Sequence, residues 1–233
     1  MIKAKSKLWY LKQINLFDGM TREFGQMMEE NTVMQEFEKG EKIYLGVDPA
    51  SHIYILKVGR VKVSQEPLGK KELIKAILYP GEIFGETGLI GAHSYIDEAT
   101  ALDRVIVCIM DVKYMQTLME MHPSLGMAVT ASLGKKLARM ERKLESLIFK
   151  DAHGRILELL MRMAADHGQH DDDEIVVQHN LTHQDLANLT ATSRQTVTTV
   201  LNELSDAGLI RLERKRIFVK DLAALGMEAS RQS

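Results

Sequence analysis

Two stretches of the chain carry residue types and spacings suited to binding chemistry. The first is Pro80-Gly81-Glu82-Ile83-Phe84-Gly85-Glu86-Thr87-Gly88-Leu89-Ile90-Gly91. Gly85 and Gly88 bracket an acid and a hydroxyl, Glu86 and Thr87. Glycine lets backbone N–H groups fold into a nest that holds an anion, and Glu86 is placed to accept hydrogen bonds from a ribose or similar diol. A glycine-rich turn between strands, with no ligand, accounts for the same spacing, and the glycines alone do not separate the two readings.

The second stretch runs from Leu181 to Leu204. Thr182 with Asp185 three residues on makes a capping-box start, and Leu186, Ala187 and Leu189 form an inward set. Thr190-Ala191-Thr192 is a short turn, after which a second helix buries Val197, Val200, Leu201 and Leu204 and presents Ser193, Arg194, Gln195, Thr198, Thr199 and Asn202. Two short helices, a tight turn and a small Ala on the first helix make a helix-turn-helix, whose second helix reads the major groove. Arg194 suits a phosphate or guanine, Gln195 pairs bidentately with adenine, and Thr198 and Thr199 suit a thymine methyl or a phosphate. Thr182, His183 and Gln184 at the start of the first helix complete the candidate contacts on this face. Leu209 to Lys220 then reads as a hairpin turning at Arg214-Lys215. It is a wing with Arg214, Lys215 and Arg216 at the tip and with Arg211 and Lys220 adding charge.

These faces need a frame, and the residues between them supply one. Pro123 to Lys150 reads as a long helix, with Pro in a first-turn position where its missing N–H costs little. Leu133, Leu137, Met140, Leu144 and Leu147 fall at 4-3-4-3 spacing, a heptad seam about two heptads long that calls for a partner helix. Lys135, Lys136, Arg139, Arg142 and Lys143 lie on a basic outer face between them. Residues 8 to 30 read as short helices with Leu8, Leu11, Leu16 and Phe17 apolar and Thr21 as an N-cap before Phe24. From Val33 to Met110 the period becomes that of short strands punctuated by glycines, which implies an antiparallel sandwich or barrel. Asp111 opens a short helix to about Met121. Asp151 to Asp166 forms another, and Ile175-Val176-Val177 a short strand after the acidic turn 171–174.

The expected architecture is α+β: N-terminal helices and a β-roll over 1–122, a dimerisation helix over 123–150, and a winged helix-turn-helix over 151–233. At 233 residues, 45% apolar and 27% charged, the chain suits two modest globular domains and no fibrous or disordered class. No stretch has the length of a signal-peptide core or a membrane span, so a cytoplasmic protein is expected. The single cysteine, Cys108, excludes an internal disulfide and a multi-thiolate metal site, and its apolar surroundings make it a core residue. Nothing resembles a nucleophilic, metal or paired-carboxylate catalytic set, and an enzyme is not expected. Residues 1–150 hold 21 Lys+Arg against 19 Asp+Glu, and 151–233 hold 9 against 13. The second balance is acidic for a DNA-binding region, so the positive charge must be concentrated on one face. A protein-interaction adaptor using the winged helix without DNA is the competing class.

With the glycine cassette, the seam helix and the winged helix in one order, the chain resembles the cAMP receptor protein and fumarate–nitrate reduction regulator (Crp/Fnr) family. The stretches Leu181-Thr182-His183-Gln184-Asp185-Leu186-Ala187 and Thr192-Ser193-Arg194-Gln195-Thr196-Val197 carry the resemblance most specifically. It implies a cyclic-nucleotide-binding-like roll of the double-stranded β-helix type, a homodimer on palindromic double-stranded DNA, and recruitment of RNA polymerase. Members that bind cyclic AMP place an Arg-Ser pair where this chain has Asp97-Glu98 ahead of Ala99, and a Thr-Ser pair where it has Met140-Glu141. Gly85, Glu86, Thr87, Gly88, Asp97, Glu98, Met140 and Glu141 are thus the pocket candidates. Two carboxylates facing a phosphate would repel it, so gating by cyclic AMP is not expected, and Arg104 is the nearest substitute cation. No cofactor is expected; a haem bound through His93 is the competing assignment.

Overall fold

The structure is a computed structural model that describes residues 24, 27–28, 30–66, 72–171 and 174–231. The apolar residues Leu8 to Phe17 and the cap at Thr21 lie outside the described residues. The chain divides into two compact units, residues 1–137 and 138–233.

Among the described residues, eight strands build the first unit: β1 (Val33–Phe37), β2 (Lys42–Tyr44), β3 (His52–Val58), β4 (Val61–Gln65), β5 (Leu73–Leu78), β6 (Ile83–Phe84), β7 (Glu98–Ala101) and β8 (Val105–Asp111). They pair antiparallel in two four-stranded sheets, β1-β8-β3-β6 and β2-β7-β4-β5, the β-roll expected from the alternating short runs. β3 shows why its sequence is an unbroken apolar run. Tyr54 and Leu56 join Phe37, Tyr44, Phe84, Tyr95 and Val107 in one core, while Ile53 and Ile55 join Cys108, Met110, Phe24 and Met28 in the other. A strand buried on both faces has no polar side to alternate with. Cys108 is fully buried there, as its neighbours implied.

Helix α1 (Val112–Met121) starts on Asp111, whose carboxylate accepts from the Lys113 and Tyr114 amides. Helix α2 (Pro123–Phe149) begins at the proline and buries Leu125 and Val129 in the second core, and the division between the units falls within it. Its seam is uncovered in the single chain at Leu137 (59% exposed), Met140 (62%) and Leu144 (59%), whereas Leu133, expected as the first seam residue, is partly buried against that core.

The second unit holds α3 (Ala152–His167), the hairpin β9 (Gln169–Asp171) and β10 (Glu174–Gln178), α4 (His183–Leu189), α5 (Arg194–Asp206), the hairpin β11 (Ile210–Glu213) and β12 (Arg216–Val219), and α6 (Leu222–Arg231). Its strands form one antiparallel sheet, β11-β12-β10-β9. Ile156, Leu157, Leu160 and Met163 of α3 are buried, as are Leu186 and Ala187 of α4 and Val197, Val200, Leu201 and Leu204 of α5. Among the described residues no helix is long and apolar enough to cross a membrane.

Candidate nucleic-acid interface and ligand cassette

The helix-turn-helix forms by local chemistry. The Thr182 hydroxyl accepts from the Asp185 amide while the Asp185 carboxylate accepts from the Thr182 amide, 2.9 Å, a reciprocal capping box. Ala187 is fully buried, which only a small side chain permits at this crossing. The turn passes through Ala191 at φ 50°, and the Thr192 amide closes it on the Ala187 carbonyl, 2.9 Å. Ser193 then caps α5 by accepting from the Thr196 amide. Val197, Val200, Leu201 and Leu204 are all buried, so the 3.6-residue period leaves Arg194, Gln195, Thr199 and Asn202 exposed along the opposite face. None of these four side chains bonds to a described residue.

Other candidates on this face have internal tasks. His183 Nδ1 lies 2.9 Å from the Thr198 hydroxyl, which also donates to the Arg194 carbonyl, so the two brace the helices against each other. Gln184 donates to Asn188, and Thr182 serves as the cap. Thr182, His183 and Thr198 are therefore first of all structural, because a short hydroxyl or imidazole at a helix junction finds a partner before it reaches outward.

The wing turns at Arg214-Lys215, with Lys215 at φ 66° and Arg214, Lys215 and Arg216 exposed. Arg211 departs from the expectation that it adds to the tip charge. It bonds to Glu174, 2.6 Å, and to Glu213, and its guanidinium lies 3.6 Å over the Phe218 ring. The Glu174 hydrogen bond, offset in part by burial, raises its pKa further. With both acids so close, it lends no net charge to the tip.

The cassette is arranged differently from a nest. Glu86–Ile90 is a 3₁₀ turn between Gly85 and Gly91, and its Gly88, Gly91 and Ala92 amides bond to carbonyls of the same segment. A Cβ on Gly88 would stand 2.2 Å from the Ala50 carbonyl, and one on Gly85, at φ 78°, 2.9 Å from that of His52. Close backbone packing requires both glycines, whatever ligand is present.

Three of the four candidate acids, Glu86, Asp97 and Glu98, each have a lysine. Lys136 Nζ reaches Glu86 Oε1 at 2.5 Å and donates to the Ile83 carbonyl at 2.8 Å. Lys75 Nζ lies 3.3 Å from Asp97 Oδ2, Tyr44 donates to Asp97 Oδ1 at 3.2 Å, and Lys42 pairs with Glu98. Tyr44 stacks on Tyr95 at 4.0 Å, and burial first, then the Asp97 and Glu86 charges, push its hydroxyl far above its ordinary pKa. Asp97 and Glu98 are thus not the bare carboxylates expected from the sequence, and Lys136 is not a solvated residue of a basic face. Arg104 is no substitute for a phosphate-binding arginine, since it pairs with Glu36 on β1. Met140 and Glu141 are exposed residues of α2 in the second unit, and His93 is exposed on a loop. Among the described residues no cluster of three or more His, Cys, Asp or Glu side chains is placed to hold a metal. No local pattern marks the lysines, which lie 22 to 56 residues from their acids.

Comparison with known proteins places both regions. Residues 34–122 match the cyclic nucleotide-binding domain and residues 154–227 the Crp-like helix-turn-helix domain. The chain is 31% identical to the transcriptional regulator LdrP of Thermus thermophilus, over 84% of this chain and 96% of that one. It is 32% identical to the cAMP-activated global transcriptional regulator CRP of Haemophilus influenzae, over 78% and 80%. A CRP-family transcriptional regulator from Thermus thermophilus superposes with a TM-score of 0.72 at 28% identity, over 84% of this chain and 96% of that one. Matches of this extent, spanning the roll and the helix-turn-helix alike, establish that the chain belongs to the Crp/Fnr family of transcriptional regulators.

Proposed function

We propose that this regulator binds palindromic double-stranded DNA as a cytoplasmic homodimer, recruits RNA polymerase, and does so without cyclic AMP. Its working parts are the roll at 1–122, the dimerisation helix at 123–150 and the winged helix at 151–233. In this reading Arg194, Gln195, Thr199 and Asn202 meet base edges and phosphates, while Arg214, Lys215 and Arg216 hold the backbone. The exposed seam of Leu137, Met140, Leu144 and Leu147 pairs with the same seam of a second copy. A two-fold dimer then sets its recognition helices in major grooves about 34 Å apart. Relatives include regulators named as cAMP-activated, so the effector must be argued from this chain's own residues.

The observation that carries independence from cyclic AMP is the Lys136 bridge to Glu86 and the Ile83 carbonyl. The acid that would receive a ribose already holds a cation from the chain, and the acids where a phosphate would sit hold Lys75 and Lys42. A nucleotide would have to break these pairs and find no arginine in exchange. A two-part experiment tests this reading. Duplexes selected by the purified protein from a random pool should converge on a two-fold symmetric site, and sedimentation of the protein on that site should give two chains per duplex. A selected pool without sequence preference, or one chain per site, contradicts it.

A further inference from the structure

Arg155 stands in the first turn of α3 and is not among the residues expected to touch DNA. Its side chain ends on three backbone carbonyls. Nη1 donates to Lys150 at 2.7 Å, Nε to Thr190 at 2.8 Å and Nη2 to Ala191 at 3.4 Å. Lys150 is the residue that joins α2 to α3, while Thr190 and Ala191 are the turn of the helix-turn-helix, so one guanidinium ties the two junctions together. The acceptors explain the choice of residue. Thr190 caps the C-terminus of α4, where unsatisfied carbonyls carry partial negative charge and attract a cation. Ala191 is held at φ 50°, a left-handed conformation that is strained for an L-residue and persists only where its surroundings fix it. A planar fork can hold two successive carbonyls in fixed directions, whereas an ammonium supplies a point charge.

Two residues beyond Ala191 is the cap Ser193, followed at once by Arg194 and Gln195. Whatever sets the 190–191 peptide therefore sets where the recognition helix begins. A second link from the same turn of α3 points the same way, with His153 Nε2 lying 3.8 Å from Glu203 on α5. Base readout needs side chains held to within a fraction of an ångström, while phosphate attraction tolerates displacement.

We propose that Arg155 is a positioning residue for operator recognition: by clamping the Thr190-Ala191 turn to the α2–α3 junction it fixes the start of the recognition helix and so sets sequence discrimination. The proposal rests on the DNA-binding reading above. The test uses the full chain with Arg155→Lys and Arg155→Gln. Affinity is measured by fluorescence anisotropy on the duplex selected by the unaltered protein and on a random duplex at the same salt, alongside the melting temperature. Binding to the selected site should fall tenfold or more in both variants, binding to random DNA should change by less than threefold, and both should stay folded at the assay temperature. The ratio of the two affinities is the deciding readout, because a purely structural loss lowers both alike. An unchanged ratio, an equal loss on both duplexes, or unfolding of both variants overturns the proposal. Failure of the unaltered protein to prefer any duplex would instead strike the DNA-binding reading itself.

Discussion

In the cassette of the first unit Glu86, Asp97 and Glu98 each meet a lysine, whereas on the recognition helix of the second unit Arg194, Gln195, Thr199 and Asn202 meet no described residue. Both regions descend from binding domains, and both present polar residues on a well-packed apolar frame. One has met these three acids from within, though the Thr87 hydroxyl beside them is buried without a hydrogen-bond partner among the described residues. The other has left its polar side chains for something outside. Buried or half-buried polar groups need partners wherever they come from, so a region that supplies its own has little left to offer a ligand. A region whose polar side chains stand open on a rigid helix keeps that capacity for DNA.

The contrast can be attacked at several points, beginning where the effect should be greatest. Leu137→Asp with Leu144→Asp places charges on the exposed seam and should give a monomer by sedimentation equilibrium. Operator affinity should then fall about 100-fold or more, since the second half-site contact is no longer intramolecular. A variant that stayed dimeric would move the interface elsewhere. Arg194→Ala should cost about 1–3 kcal/mol of operator binding by anisotropy, with relaxed preference at one base position. If Arg194→Ala bound as tightly as the unaltered chain, the open face of α5 would not be the reading face.

The first unit offers a pH test of its own. Lys57 on β3 is 6% exposed, and burial lowers its pKa to about 8 from an ordinary 10.5, with Cys108 opposing the shift. Between those values the unfolded chain holds more protons than the folded one, so Lys57 makes stability rise with pH across the window and weighs against folding below it. Tyr44 and Tyr95, both raised chiefly by burial, act in the opposite sense above their ordinary value of 10. Denaturation of Lys57→Met between pH 8 and 10 should show a flatter slope than the unaltered chain; an identical slope would mean that Lys57 keeps its proton when folded. The smallest effect belongs to the wing. Lys215→Ala should weaken selected and random duplexes alike and lower the salt dependence of binding by about one counterion. A change in base preference would put Lys215 in a groove and not on phosphate.

How much of this was legible in the sequence follows from the range of the interactions. The capping box at Thr182 and Asp185, the buried set from Val197 to Leu204, the start of α2 at Pro123 and the wing turn at Arg214-Lys215 are written within a few neighbouring residues, and all were readable. Short apolar runs punctuated by glycines marked the strands of the roll, while the burial of β3 on both faces emerged only from the fold. The pairs that close the cassette were not readable. Lys136 and Glu86 lie 50 residues apart, and a lysine on a helix with other lysines looks solvated until the tertiary fold brings a carboxylate to it. Arg155 was hidden for the same reason, since its acceptors are backbone carbonyls up to 36 residues away and no residue type marks them. Arg211 shows the converse error: counted by sequence it is wing charge, yet Glu174, Glu213 and the Phe218 ring enclose it.

The most direct test of the central claim is a titration of the selected duplex with the purified full chain, in the absence and in the presence of saturating cyclic AMP. The occupied cassette predicts sequence-specific binding without nucleotide, and an affinity that cyclic AMP changes by less than twofold. Binding that appears only with cyclic AMP, or strengthens tenfold or more in its presence, would contradict it.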